Sequence, residues 1–463
     1  MIDPEPVADP AGRPLNDLVR SGGHRSRRVV LNAAVGMGAR VLALVISLAS
    51  VPLLVRYFGT RDYGVWATLT SFVALLNVAD FGIGSGLLNA VATARGRDDA
   101  REVHVVVSTA VYVYAAIGAA IAMALLVAVQ VLDWGQVFNV DAPELANAGR
   151  LAALTLGLLF AAGMPVAAAV QIRAAYQEAY VTAWYGTAGL LIGFAFVVVG
   201  IRSDSPMWVL ALCVGGGTFI GYALNFADLF GWRRPALRPR TKVITRRAVS
   251  ELTRAGILFF VLQIAGTIAF SIDNLVGAQV LGPEAVTRYA VPFRLFSAVE
   301  SLIIIVTTSL WPAYSEALAS GDMEWVRSTL RRSLKCLVAL GAMAAVVLVL
   351  MGRPLIRLWV GPSVVVDSGL LLGLGCWLVL ASFGHGVAAF LAAARVIRFQ
   401  IWSAVAMASA NLVLSVLLAR EFGVAGLIWG TVIAYFVFTA VPYAVHLPAV
   451  LRKVGVDGPV SPA

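Results

Sequence analysis

Six ionisable residues lie inside long apolar stretches of this 463-residue sequence. An ionisable group at the centre of a membrane helix costs about 2.5–3.5 kcal/mol on insertion scales. Each one therefore needs a partner, a water-filled cavity or a function. The six residues are Arg40, Asp80, Asp273, Arg294, Glu300 and His385.

The two arginines are candidates for binding an anionic group, because a guanidinium presents a planar fork of donors that fits phosphate oxygens. Arg40 shares a face of small and polar residues with Ser47, at helical steps of three and four. Asn77 and Gln263 lie on the polar faces of two other apolar stretches. The predicted substrate-binding residues are therefore Arg40, Arg294, Asn77 and Gln263.

The two aspartates are candidates for ion coupling or gating. With a rise of about 1.5 Å per residue, Asp80 lies at a depth similar to that of Arg40, and Asp273 at a depth similar to that of Arg294. These depths permit an acid–arginine pair in each half of the chain. Such a pair either holds two helices in register or joins a ligand-binding arginine to its counter-charge, and both interpretations stay open.

Glu300 and His385 complete the predicted ion-coupling or gating set. Glu300 follows Arg294 by six residues, about 240° around a helix, so the two side chains cannot share a face. A desolvated carboxylate of this kind could carry a proton. His385, between Gly384 and Gly386, is either a satisfied interior histidine or a member of a proton relay.

The composition indicates which elements position these residues. Hydrophobic residues make up 60% of the chain and charged residues only 13%, about half the charged share of a soluble domain. A soluble enzyme, a disordered scaffold and a fibrous repeat are excluded together. The three scattered cysteines suggest neither a disulfide framework nor a metal site, and we expect no metal and no cofactor.

Twelve stretches are long and apolar enough to span a membrane. We therefore expect an all-α, polytopic membrane protein with a cytoplasmic segment 1–30, an N-lobe of six helices over 31–231, a basic linker 232–253, a C-lobe of six helices over 254–447 and a tail 448–463. The predicted spans are 31–55, 63–90, 104–132, 149–170, 181–201, 207–231, 254–280, 289–312, 334–352, 369–393, 399–419 and 425–447.

The basic residues predict the orientation. Of 35 lysines and arginines, 25 fall in segments on the side of the N-terminus, 8 on the other side and 2 within spans, which places both termini in the cytoplasm. The basic linker fits a topology anchor beside anionic lipid. Nucleic-acid binding is not expected, since no folded module surrounds it.

The two lobes show signs of an internal repeat. Gly59 aligns with Gly282 and Gly96 with Gly321, at offsets of 223 and 225 residues. Six spans in each half give both repeats the same direction through the membrane. In transporters built from such parallel repeats, the substrate site lies between the halves.

Several motifs resemble the bacterial polysaccharide flippases, the Wzx-like members of the multidrug/oligosaccharidyl-lipid/polysaccharide exporter superfamily. The motif-bearing segments are Pro52–Trp66, with the sequence PLLVRYFGTRDYGVW, Asp80–Gly84 followed by Asn89, Leu281–Gly282 with Gln263, Asp273, Gly277, Tyr289 and Arg294, and Leu358–Gly361. The resemblance covers roughly residues 29–450.

The resemblance implies a two-lobed bundle around a central cavity in the bacterial cytoplasmic (inner) membrane. The cargo would be a polyprenyl-diphosphate-linked oligosaccharide, flipped from the inner to the outer leaflet by alternating access, for surface polysaccharides such as the O-antigen of lipopolysaccharide. Arg40 and Arg294 would contact the diphosphate. Proton or sodium ions, membrane lipids, a polysaccharide polymerase and chain-length regulators would be partners.

Two alternatives remain. A cation-coupled multidrug exporter of the same superfamily would favour an acidic cavity. A membrane-embedded polysaccharide polymerase or glycosyltransferase should carry a large extramembrane loop, whereas the longest predicted outer loop spans only residues 133–148. Neither a nucleotide-binding phosphate loop nor a catalytic triad is evident in the sequence, so we expect a transporter and not an enzyme.

Overall fold

The computed structural model describes the backbone of residues 15–394 and 396–457. It describes side chains between residues 35 and 453 except at 77, 253–259, 261–262, 265–266, 268–271, 309, 395 and 397. The described part consists of helices joined by short turns and loops and contains no strand, which confirms the all-α prediction. The helices are α1 Leu15–Leu76, α2 Ile83–Gly96, α3 Ala100–Val131, α4 Trp134–Phe138, α5 Pro143–Ala175, α6 Ala179–Arg202, α7 Met207–Asp228, α8 Arg246–Leu281, α9 Pro283–Ala319, α10 Met323–Trp359, α11 Ser368–Ala393, α12 Ile397–Phe422, α13 Val424–Tyr435 and α14 Val441–Asp457.

Local sequence explains where many of these helices begin. Asp99, Asp322 and Asp367 each accept a hydrogen bond from a backbone N–H in the first turn of α3, α10 and α11. Such acidic caps satisfy amide groups that have no partner inside the helix. Pro143 and Pro283 occupy the first position of α5 and α9, where a missing N–H costs nothing.

Ten helical stretches of the described residues are long and apolar enough to cross a membrane, so the chain is an integral multi-pass membrane protein. One of these stretches, Val35–Asp80, contains a kink at Gly59 and covers parts of the first two predicted spans. The seventh predicted span lies in α8, where many side chains are outside the described set. The count of twelve spans therefore stays a prediction.

The second predicted span, residues 63–90, is not one continuous helix. A 3₁₀ turn covers Asn77–Asp80, and Phe81 and Gly82 follow with φ of 50° and 70°. The helix restarts at Ile83 as α2. A residue with positive φ cannot continue a right-handed helix. The helix is therefore interrupted at the depth of Asp80.

The segment between the lobes is folded onto the N-lobe. Leu237 is buried in the N-lobe core, the ring of His104 donates to the Arg238 carbonyl at 2.9 Å, and the Arg240 amide donates to Ser108 Oγ at 3.2 Å. Helix α8 starts at Arg246, inside the linker boundaries we predicted, and α14 continues to Asp457 within the predicted tail.

Candidate functional site between the lobes

The two predicted substrate-binding arginines line one cavity. This cavity of about 400 Å³ lies between α1 of the N-lobe and α9 of the C-lobe, and Ser47, Ser297 and Ser301 also line it. Arg40 and Arg294 come from different halves of the chain, as expected for a site between the halves in which both arginines contact one anionic group. Helix packing brings them together because α1 and α9 lie against each other.

A second, smaller cavity continues from the first. It has a volume of about 190 Å³ and shares Ser47 and Arg294 with its neighbour, while Trp66 and Thr70 line its far wall. Nη1 of Arg294 donates to Ser47 Oγ at 3.2 Å. Arg294 thus stands at the junction of the two cavities.

The cavity is positively charged. Among the residues that the structure describes, neither Arg40 nor Arg294 forms an ion pair with a carboxylate. The acid–arginine pairs that similar depths permitted are therefore not formed, because both aspartates bind other groups. Two uncompensated guanidinium groups give the cavity the charge that suits an anionic ligand.

Asp80 lies at the break between α1 and α2. Its carboxylate accepts the Gly84 amide at 3.3 Å and a hydrogen bond from the Tyr114 hydroxyl. The acid therefore caps a helix that begins inside the bundle, where a negative charge is favoured by the helix dipole. Asn77, the neighbouring predicted binding residue, has a side chain outside the described residues.

Asp273 is buried in the C-lobe, with 4% of its surface exposed. Oδ2 accepts from the Tyr289 hydroxyl and from Thr431 Oγ1, both at 2.8 Å, while Oδ1 accepts from Ser415 Oγ at 3.3 Å and from Asn411 Nδ2 at 3.5 Å. Sequence reasoning missed these partners. Asn411 and Ser415 are spaced four apart in an apolar stretch, and that spacing was the available signal.

The Asp273 cluster is rich in oxygen atoms. Asn411 Oδ1 lies 2.9 Å from Ser415 Oγ and 3.0 Å from Thr431 Oγ1, and the carbonyl oxygen of Leu427 lies 3.3 and 3.4 Å from these two hydroxyls as an alternative acceptor. Carboxylate, carbonyl and hydroxyl oxygens are ligands for hard cations. Rotation of the two hydroxyl groups would turn their lone pairs toward an ion held by Asp273.

Glu300 and His385 are in contact. His385 Nε2 lies 3.0 Å from Glu300 Oε1, and Trp377 Nε1 donates to Glu300 Oε2 at 3.2 Å. Their side chains are 15% and 31% exposed for Glu300 and His385. Two separately predicted residues thus form one titratable pair between α9 and α11, while Gln263 lines neither cavity.

A further charged cluster, missed from the sequence, lies where α5 and α7 end and α6 begins. Arg173 is fully buried, lies 3.4 Å from Glu178 and pairs with Asp228. Arg234 donates to Glu178 at 2.8 Å. Burial raises the pKa of Glu178, but the hydrogen bond and charge of Arg234 outweigh it, so the pKa lies below its usual 4.5.

The fold and the cavity define the class of the chain: a multi-pass helical membrane protein with a charged cavity between two halves. The sequence also matches the profile of the family described as "Polysaccharide biosynthesis protein" over residues 29–318, more than half its length. The chain belongs to this family.

Two curated proteins are distant relatives of the chain. The chain is 23% identical over 337 residues to the uncharacterized membrane protein EpsK of Bacillus subtilis (strain 168), a match that covers 73% of this chain and 66% of EpsK. It is 19% identical over 293 residues to a putative O-antigen transporter of Salmonella typhimurium (strain LT2), covering 60% and 63%. The chain thus spans somewhat less than two thirds of each relative.

Solved structures share the fold over most of the chain. An inward-facing multidrug resistance MATE family transporter of the MOP superfamily has a TM-score of 0.70 at 14% identity, covering 91% of this chain and 99% of that one. The lipid II flippase MurJ in an inward closed conformation has a TM-score of 0.68 at 12% identity, covering 92% and 90%. Both neighbours are transporters, and the likeness shows the fold alone.

Proposed function

We propose that this protein flips a polyprenyl-diphosphate-linked oligosaccharide from the inner to the outer leaflet of the bacterial cytoplasmic membrane, for surface polysaccharide synthesis. The observation that carries this proposal is the cavity lined by Arg40 and Arg294, neither of which has an acidic partner among the residues that the structure describes. A diphosphate would be bound by one arginine from each lobe. The family membership and the name of the Salmonella relative support a polysaccharide cargo.

Binding by both lobes would couple the cargo to alternating access. A headgroup that contacts α1 through Arg40 and α9 through Arg294 changes its contacts when the lobes rock. The fold is shared with transporters solved in inward-facing and inward-closed conformations. A ligand shifts such an equilibrium only by its differential affinity for the two states.

Two clusters are available for ion coupling. The oxygen atoms around Asp273 suit a sodium ion, and the Glu300–His385 pair suits a proton. Both lie in the C-lobe, outside the arginine-lined cavity. We propose that one of them couples transport to an ion gradient, and that a polymerase and chain-length regulators take up the flipped product.

The charge of the cavity weighs against a multidrug exporter of cationic compounds. Such an exporter needs acidic groups that face the ligand, whereas Asp80 and Asp273 are occupied by hydroxyl and amide donors. A polymerase is also disfavoured. Such an enzyme should carry a large outer loop, whereas the outer segment between α3 and α5 holds only the five-residue helix α4.

The experiment is flipping of a fluorescent polyprenyl-diphosphate oligosaccharide in proteoliposomes. A hydrogen bond to a charged group contributes about 1.5–3 kcal/mol, which is about ten- to 150-fold in affinity. We therefore expect Arg40→Ala and Arg294→Ala each to lose at least about tenfold in affinity for the cargo. Arg294→Lys should recover only part of it, because an ammonium lacks the planar fork.

Ser301→Ala is the matched control, since Ser301 lines the same cavity but its hydroxyl donates to the Ser297 carbonyl of its own helix. It should flip at the wild-type rate. In cells, both arginine variants should insert normally and fail to export polysaccharide. Normal flipping and export by both arginine variants would refute the assignment of Arg40 and Arg294 to cargo binding.

A further inference from the structure

Two glycines 223 residues apart have the same unusual backbone conformation. Gly59 has φ and ψ of 77° and 175°, and Gly282 has 87° and 169°. This region of positive φ is open to glycine and strained for other residues. Each glycine ends one helix and starts the next, so the repeat seen in the sequence is present in the backbone.

Contacts between the lobes at this end of the bundle are reciprocal. The Thr287 hydroxyl donates to the Thr60 carbonyl. A methyl group on Gly64 would lie 1.8 Å from the carbonyl oxygen of Pro283, so the two backbones touch there. An offset of 223 places Thr60 on Pro283 and Gly64 on Thr287. The repeat offset therefore maps each of the two contacts onto the other, so they are related by a pseudo-two-fold axis.

Reciprocal contacts of this kind are the mark of a self-complementary interface. Here the two partners are not two subunits but the two halves of one chain. Tyr289, which follows the second kink, is 2% exposed, and Tyr63, which follows the first, is 4% exposed. Both tyrosine side chains are thus almost fully buried, and Tyr63 also lines the smaller cavity.

A second set of bonds seals the rim of the same end. Gln279, just before the Gly282 kink, donates from Nε2 to the Gln136 carbonyl at 2.9 Å. Asn139 Nδ2 donates back to the Gln279 carbonyl at 3.4 Å. In the predicted orientation this is the outer end, so the lobes meet where the cargo would leave.

We propose that the Thr60–Thr287 and Gly64–Pro283 contacts form a pseudo-symmetric latch that closes the outer end and separates each time the transporter opens outward. This proposal rests on the proposed function. The latch contains one neutral hydrogen bond and one close backbone approach, with no ion pair. Such contacts are weak enough to break and reform between two states that differ by a few kcal/mol.

Glycine at position 64 is required for the closed state alone. Valine there cannot fit against Pro283 while the latch is shut, but it fits once the lobes part. Gly64→Val should therefore favour the outward-open state, whereas Gly38→Val, in the same helix α1 with nothing within 4 Å, should leave the equilibrium unchanged.

The test measures access from outside the cell. Cys213, Cys336 and Cys376 are replaced by alanine, and Ser50, which lines the smaller cavity behind the latch, becomes the only cysteine. Labelling by a membrane-impermeant maleimide should rise about five-fold or more in Gly64→Val, since overpacking penalises only the closed state.

Thr287 supplies a gentler pair of variants for the case that Gly64→Val does not fold. Thr287→Val removes the hydrogen bond at constant shape and should raise labelling about two- to ten-fold. Thr287→Ser keeps the hydroxyl and should label like the parent. Unchanged labelling in Thr287→Val, at normal protein levels in the membrane, would overturn the latch.

The labelling does not depend on the cargo, so the two proposals fail separately. Increased labelling together with absent flipping by the parent protein would leave the latch standing and remove the proposed function. Normal flipping by the parent protein, together with labelling that no latch variant changes, would leave the proposed function standing and remove the latch.

Discussion

Neutralising Asp273 should abolish a stabilisation by sodium ions. In the structure its carboxylate accepts four hydrogen bonds, from Tyr289, Thr431, Ser415 and Asn411. Asp273→Asn keeps the size of the side chain but replaces one acceptor oxygen by an NH₂ group. The NH₂ group faces hydrogen-bond donors in either orientation, because both carboxylate oxygens of Asp273 accept from donors. The substitution also removes the negative charge that would hold a cation.

The cost of the substitution can be estimated from the partners. Ser415 and Thr431 have alternative acceptors in Asn411 Oδ1 and the Leu427 carbonyl, whereas the structure gives Tyr289 no second acceptor among the described contacts. One orphaned buried hydroxyl costs about 1–3 kcal/mol. We therefore expect Asp273→Asn to be destabilised by about 1–3 kcal/mol without added salt.

The effect of sodium adds to this difference. An ion that binds only the folded state stabilises it by about 2.7 kcal/mol at a concentration 100 times its Kd. The wild type should therefore gain this amount on replacing choline chloride by sodium chloride, and Asp273→Asn should gain nothing. Thermal unfolding of the purified protein in detergent, followed at constant ionic strength, measures both differences.

Glu300→Gln is the matched control, because it neutralises an acid of the same lobe outside the oxygen cluster. It should retain the response to sodium. An equal response in the wild type and in Asp273→Asn would refute a sodium site at Asp273, as would a wild type that does not respond. A response lost only in Glu300→Gln would move the site to the Glu300–His385 pair.

Two further predictions concern packing and pH. Gly217→Val should lower stability by about 1–3 kcal/mol, because a Cβ there would lie 2.5 Å from the Gly189 carbonyl oxygen. At the neighbouring Gly216 a Cβ would lie 4.0 Å from Leu212 Cδ1, an ordinary contact distance, so Gly216→Val should be neutral in the same unfolding assay. Since the pKa of Glu178 is lowered by Arg234, its stabilising contribution is present above pH 4.5 and is lost as the pH falls through the lowered value. The difference in unfolding temperature between the wild type and Glu178→Gln should therefore shrink between pH 7 and pH 3.5, and a constant difference would contradict the assigned ion pair.

Hydropathy and glycine spacing were sufficient for the helical bundle and for the repeat. Apolar stretches of span length leave little choice of fold, because backbone groups in lipid must be satisfied within the helix. Gly59 and Gly282 were aligned from the sequence as equivalent positions, and the structure adds that both have positive φ, which glycine adopts without strain. The break at Phe81 was hidden, because a phenylalanine with φ of 50° leaves no sequence signal.

The candidate site was predicted residue by residue but not in its pairings. Depth along a helix permitted pairs of Arg40 with Asp80 and of Arg294 with Asp273, and neither pair is formed among the described residues. The structure joins Arg40 to Arg294 in one cavity, as a shared anionic ligand required, and brings Glu300 to His385, which was not predicted. Depth gives one coordinate only. Which faces meet depends on how helices from the two halves cross, and this is set by packing between residues far apart in the chain.

The two halves share a backbone but divide the chemistry unequally. The kinks and the reciprocal contacts of Gly64 and Thr287 follow the repeat, so the crossing of the lobes is symmetric. Asp80 caps a broken helix in the N-lobe, whereas Asp273 lies in a cluster of oxygen atoms in the C-lobe. Under the proposed function, a symmetric crossing would let the lobes rock about one axis. An ion held in one lobe alone would then bias that motion, because it would change the packing on one side of the axis and leave the arginine-lined cavity at the boundary free to bind the anion from both sides.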